Sequence, residues 1–342
     1  MSDTDQQARL DVLFGGVKSY RSSENFQKML TFCGKMKQIG PYNAMLVFIQ
    51  RPGATYLLTE TKWAKEFDCG ILPNARPVLV LIPFGPLEYL FDISDTFPLN
   101  KNPKLTKEFG PLTEYLKQPF ATTGQFCRKY LEQVICNFSA HGMAFNPNFV
   151  AGSNYGAQLR LLREESHPLV FQNKNFYLEY PAHYLISINS HAGDGETMAS
   201  ILHELGHFFC HHLISPPGQK EWWQSRNLPH DVMEFEAESV AWLICQRIGL
   251  QSPSERYLSG YLNANKEIPA GVSIEAIFKA ADNVWKMVST IITYDKGLLY
   301  KHDKRFKEKL KTVIDSHKNS KQTPKQQSLI VLPVFRQGVI LQ

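Results

Sequence analysis

The sequence predicts an α+β fold: a small N-terminal α/β domain, then a larger domain with a mixed sheet and a buried helix. Three observations carry this. Pro77 to Pro83 is a continuous β-branched run, and Leu87 to Ile93 alternates like its partner strand. Residues 97–122 hold Pro98, Pro103, Pro111 and Pro119, the composition of a connector between domains. Strand-like segments from Ser153 onward lead into Glu196 to Leu213, where apolar residues recur at helical spacing. The expected division is residues 1–122 for the α/β domain and its Pro-rich connector, 123–300 for the second domain, and 301–342 for a basic helix and an apolar tail.

Composition sets the frame. The chain has 342 residues, 43% hydrophobic and 20% charged, which is ordinary for a soluble protein with a full core. Its polar start shows no apolar leader, and no run approaches the roughly 20 apolar residues that span a bilayer. The six cysteines show no C-x-x-C spacing and read as reduced, packed thiols of a cytoplasmic protein. Lys301 to Lys325 carries nine Lys and Arg against Asp303, Glu308 and Asp315, so the net charge of +5 is concentrated there. Such a segment reads first as a solvated helix, and it also offers a route to DNA phosphates.

Along the chain, Ser22, Ser23 and Glu24 open a helix through Lys37, with Phe26, Met29, Leu30 and Cys33 on one side. Gly40 and Pro41 break it, and Asn43 to Gln50 is a second buried segment. Ala54 to Thr59 reads as a short strand and Lys62 to Phe67 as a helical turn carrying Trp63. Thr123 caps a helix from Gln125 to Phe138. Ser153 to Leu162, Asn175 to Glu179 and His183 to Asn189 are strands. The last is expected at the rim of a cleft, where an extended peptide adds by main-chain hydrogen bonds. Asp231 to Ile248 is a helix closed by Gly249. Residues 255–263, 273–290 and 300–315 are further helices, and the final fifteen residues form an apolar tail.

The helix within Glu196 to Leu213 contains His203, Glu204, Leu205, Gly206 and His207, an H-E-x-x-H match. Residues four apart share a helix face. His203 and His207 can therefore hold one Zn²⁺, and Glu204 can act as base toward a water on it. A catalytic zinc takes a third protein ligand. A third histidine at the next expected place is excluded, because that position is Leu213. His211 and His212 lie at other angles, exposed or supporting a ligand. The helix from Asp231 offers Glu234, Glu236 and Glu238. Glu234 and Glu238 share a face, whereas Glu236 lies about 200° round and points outward. One of the first two ligates and the other orients an imidazole. Asp231 and Glu234 also have capping-box spacing, which would leave Glu238 as the ligand. An oxyanion donor is expected after this helix: Tyr257 first, then Tyr261 or His230.

H-E-L-G-H followed by E-F-E-A-E-S-V-A-W resembles the ImmA/IrrE zinc metallopeptidases. That resemblance implies a zincin-like domain over 123–300, Glu234 as the third ligand, and peptide-bond hydrolysis of an intracellular, regulatory protein. Ile274 to Trp285 is similar to a late helix of the ArdC antirestriction zincin domain, which implies the rival function of single-stranded DNA binding. Tyr56 and Trp63 are then candidate stacking residues, with core packing as their other role. No helix-turn-helix is legible, so the resemblance does not carry over a target.

Overall fold

The computed structural model describes residues 23–82, 87–99, 128–149, 157–163, 167–172, 177–190, 192–216, 222–250 and 268–320. Two helices open it, α1 (Ser23–Lys35) and α2 (Pro41–Gln50), with Pro41 at the first helical position, where its missing N–H costs nothing. Next come β1 (Leu57–Leu58), α3 (Glu60–Phe67), β2 (Cys69–Ile71), β3 (Val78–Val80), β4 (Glu88–Asp92) and β5 (Thr96–Pro98). β3 and β4 pair antiparallel, as their apolar patterns predict, and β1 adds to the far side of β4. β2 and β5 form a separate ribbon.

The second half holds α4 (Arg128–Asn137), β6 (Met143–Phe149), β7 (Ala157–Leu161), β8 (Pro168–Gln172), β9 (Tyr177–Pro181) and β10 (Tyr184–Asn189). Helices α5 (Asp194–Phe209), α6 (His230–Ile248), α7 (Ile274–Ser289), α8 (Leu298–His302) and α9 (Lys304–Ser320) follow. The sheet is mixed, in the order β6-β10-β7, with β10 parallel to β6 and antiparallel to β7. Every residue of β10 is buried. The expected rim strand is therefore central, and β7 lies outside it. Burial alternates along β7, with Gln158 and Arg160 exposed, as a strand buried on one face requires. β6 escapes sequence reading because Pro147 interrupts it, and a proline is tolerated where the strand lies at a sheet edge.

The N-terminal helices pack on the second half. Phe26 of α1 meets Phe235 of α6, and one continuous core joins α1, α2, α6 and α7. Arg247 is buried and donates to the carbonyls of Cys33 and Met36 at the C-terminal end of α1 and to that of Ile39 in the turn that follows. A guanidinium suits that end, where unpaired carbonyls and the helix dipole both favour a cation. The expected connector over 97–122 and the 122/123 boundary lie outside the described residues, except that Phe97 and Pro98 belong to β5. The helix over 255–263 and the apolar tail lie outside them too. Among the described residues, no helix is long and apolar enough to cross a membrane. The described cysteines are free thiols.

Candidate metal centre

Helix α5 starts at Asp194 and carries His203, Glu204 and His207 on its last two turns. Met198, Ile201, Leu202, Leu205 and Phe208 are completely buried, which fixes the rotation of the helix and leaves both histidines at its partly open side. Gly206 sets how near α6 can come. A Cβ there would lie 2.7 Å from the Ala237 carbonyl oxygen and 2.8 Å from its Cα. The glycine and the small Ala237 let the two backbones approach, and that approach delivers Glu234 and Glu238 to the histidines.

The donors converge. His203 Nε2 and His207 Nε2 are 3.1 Å apart. Glu234 places Oε2 3.4 Å from the first and Oε1 3.3 Å from the second. A tetrahedral ion with arms of about 2.0–2.1 Å has ligand-to-ligand edges of ~3.3–3.4 Å. The two Glu234 separations, made by its two different oxygens, equal such edges, the nitrogen pair lies slightly closer, and two imidazoles with one carboxylate are a zinc donor set. The residues fit the ion. Helix α6 begins one residue before the expected capping box, after Pro229 and without a side-chain cap. Glu234 is therefore free of capping duty. Glu238 accepts from His203 Nδ1 at 2.8 Å, which leaves His203 Nε2 facing the other donors.

Charge at the site follows from these contacts. Burial opposes a proton on His203, but hydrogen bonds to Glu234 and Glu238 outweigh it and lift the imidazole to about 10. Hydrogen bonds to the two histidines hold Glu234 well below the usual carboxylate range. Burial pushes His207 down, so it is the more readily neutral of the pair. Burial pushes Glu204 up to about 7. Its Oε2 accepts from the Leu159 main-chain N–H at 3.0 Å, on β7. Three carboxylates around two imidazoles make a place that demands positive charge.

A second group, Cys210, His212 and Glu236, also brings ligand atoms within 4.8 Å of one another. Here a cation is already seated. Arg226 donates to Glu236 at 2.5 and 2.9 Å, and the Ser273 main-chain N–H donates at 2.7 Å. Burial drives the Cys210 thiol well above its ordinary range, away from the thiolate a metal needs. Of the two groups, His203, His207 and Glu234 are the one that fits an added cation. The outward orientation expected of Glu236 is overturned: it is completely buried, because Arg226, His212 and Ser273 satisfy its charge there.

The other expected residues divide. His211 is exposed, takes a left-handed φ of 61° and stacks on Trp223. His212 is nearly buried and meets both His207 and Glu236. His230 is exposed on the open side, 3.4 Å from Glu234. Tyr257 and Tyr261 lie outside the described residues. Trp63 is completely buried, and its Nε1–H donates to the Phe91 carbonyl, so it packs rather than stacks on bases. In the basic helix, Lys309 donates to the Glu179 carbonyl and covers the Tyr180 ring.

The Peptidase_M78 family model, described as an IrrE N-terminal-like domain, matches residues 163–244, about a quarter of the chain. That span contains every member of the two clusters, together with Glu204 and Glu238. No curated protein and no solved structure matches the chain.

Proposed function

We propose that the chain is a zinc-dependent peptidase of the ImmA/IrrE kind, acting on a protein substrate inside the cell. The observation that carries this is the convergence of His203, His207 and Glu234 at 3.1–3.4 Å beside a buried glutamate on the same helix. The partial family match supports the same reading.

His203 Nε2, His207 Nε2 and a Glu234 oxygen would hold the ion. When bound, zinc acidifies a water and polarises a carbonyl. Glu204 moves the proton: Leu159 occupies Oε2, leaving Oε1 to take a proton and return it to the departing amine. Its elevated affinity suits that exchange near neutral pH. Among the described residues β7 is an edge strand of the sheet, and its outward main-chain groups would give an extended peptide an edge to add to, the role expected of β10. Tyr257 remains the preferred oxyanion donor, by its place after the ligand helix.

Glu204→Gln tests the proposal. Zinc content stays at wild-type level while cleavage falls by about 10²–10⁴-fold, the usual contribution of a positioned base. Wild-type kcat/KM falls in acid as the Glu204 carboxylate takes up its proton; burial raises that carboxyl and the charge of a bound ion would lower it, so the fall comes below the value of the metal-free site. Cut sites are read by proteomics of cells expressing either form. Equal cleavage by the two forms removes Glu204 from the reaction.

A further inference from the structure

We propose that His212 is a positioning residue that fixes His207 in the tautomer whose Nε2 is bare, resting on the reading of His207 as a metal ligand. A chain of hydrogen bonds runs inward from Glu236 to His207. That carboxylate can only accept, and Arg226 keeps it ionised at 2.5 and 2.9 Å. His212 Nε2 lies 3.0 Å from Glu236 Oε2 and must therefore carry a hydrogen. In the neutral ring, Nδ1 of His212 is then the acceptor. His207 Nδ1 lies 3.0 Å from it and must be the donor. With its hydrogen on Nδ1, His207 presents a lone pair at Nε2, the atom that faces His203 and Glu234. The other ligand is held by a shorter route, with its Nδ1 2.8 Å from Glu238 directly.

The backbone builds this contact. Helix α5 ends at Phe209, and His211 enters the left-handed region. The His212 N–H then donates to the His207 carbonyl at 3.0 Å and the His211 N–H to Phe208 at 3.1 Å, the paired bonds of a Schellman turn. That turn lays the His212 ring on the His207 ring, with centroids 5.2 Å apart. Arg226 also donates to the Cys210 carbonyl, tying the turn to the same ion pair.

The test uses the full chain. Long-range ¹H–¹⁵N spectra of histidine-labelled, zinc-free protein should show His207 protonated at Nδ1. In His212→Phe, which keeps a ring of similar size without nitrogens, that preference is lost. Zinc affinity, measured against a competing chelator, falls by about 10–100-fold, the usual effect of removing such a support. His212→Asn puts an amide oxygen near the former Nδ1 and recovers most of the affinity, which mere packing does not explain. An Nε2–H tautomer in the unsubstituted protein, or wild-type zinc affinity in His212→Phe, overturns the proposal. A wild-type chain that takes up no zinc instead defeats the metal reading, and the tautomer spectrum still decides the role of His212.

Discussion

His203 and His183 each place a ring nitrogen 2.8 Å from a carboxylate, yet their surroundings are opposite in kind. Around His183, Asp303 is shared: Tyr180 donates to it at 2.8 Å, and its other oxygen caps α9 through the Phe306 N–H at 3.2 Å. The network ties β9, the start of β10 and α9 together. Around His203, Glu238 serves one ring nitrogen, and the other lies 3.1 Å from His207 Nε2 and 3.4 Å from a Glu234 oxygen. A histidine–carboxylate pair is thus common to a fastening and a metal site. What distinguishes the site is a second set of acceptors pointed at one spot.

The sharpest way to separate the two is to remove carboxylates. Glu234→Ala should abolish stoichiometric zinc binding, because two imidazoles alone do not hold the ion. Glu238→Ala should leave zinc bound about 10–100-fold more weakly, since it only orients His203. Equal losses in the two variants, measured by chelator competition, would contradict the division of roles.

Next in size is the helix contact. Gly206→Ala drives a methyl into the Ala237 backbone, where 2.7 Å is far inside contact distance. The helices must part, at a cost of roughly 1–3 kcal/mol, and zinc affinity falls with the melting temperature. A variant as stable as wild type with unchanged zinc affinity would show that this close approach does not set the site.

The smallest effect is expected at Asp303. Asp303→Asn weakens the fastening by about 1–3 kcal/mol and leaves zinc stoichiometry intact. Burial raises the Asp303 carboxyl, but hydrogen bonds from His183 and Tyr180 outweigh it and hold the group at about 2. Its stabilising contribution is therefore complete above the unfolded value near ~3.9 and is lost as pH falls through about 2. The Asn variant lacks that acid-sensitive part. Denaturant melts between these pH values check it, and loss of zinc from the variant would mean that the two networks are coupled.

The convergence of His203, His207 and Glu234 was legible in the sequence because their spacing is set by one helix period and by a second helix whose acids share a face. It also located β3, β4, β7, β10 and most helices, where apolar alternation or helical spacing is strong. It misplaced what depends on pairing partners. Nothing local says that β10 lies between β6 and β7, and Pro147 hides β6. Glu236 looked outward by helical angle alone, since its buried partner Arg226 sits in a loop ten residues earlier. His212 was left without a definite role because its Schellman turn lacks the glycine that normally marks one. The Leu159 contact to Glu204 was unreadable, being a main-chain N–H that any residue supplies.

The central claim is that zinc sits on two imidazoles and Glu234, and X-ray absorption at the zinc edge of the zinc-loaded chain tests it most directly. The account predicts a first shell of nitrogen and oxygen only, at about 2.0–2.1 Å, with the outer scattering of two imidazoles. A sulfur scatterer at about 2.3 Å would place the ion at Cys210, His212 and Glu236 instead, and would contradict it.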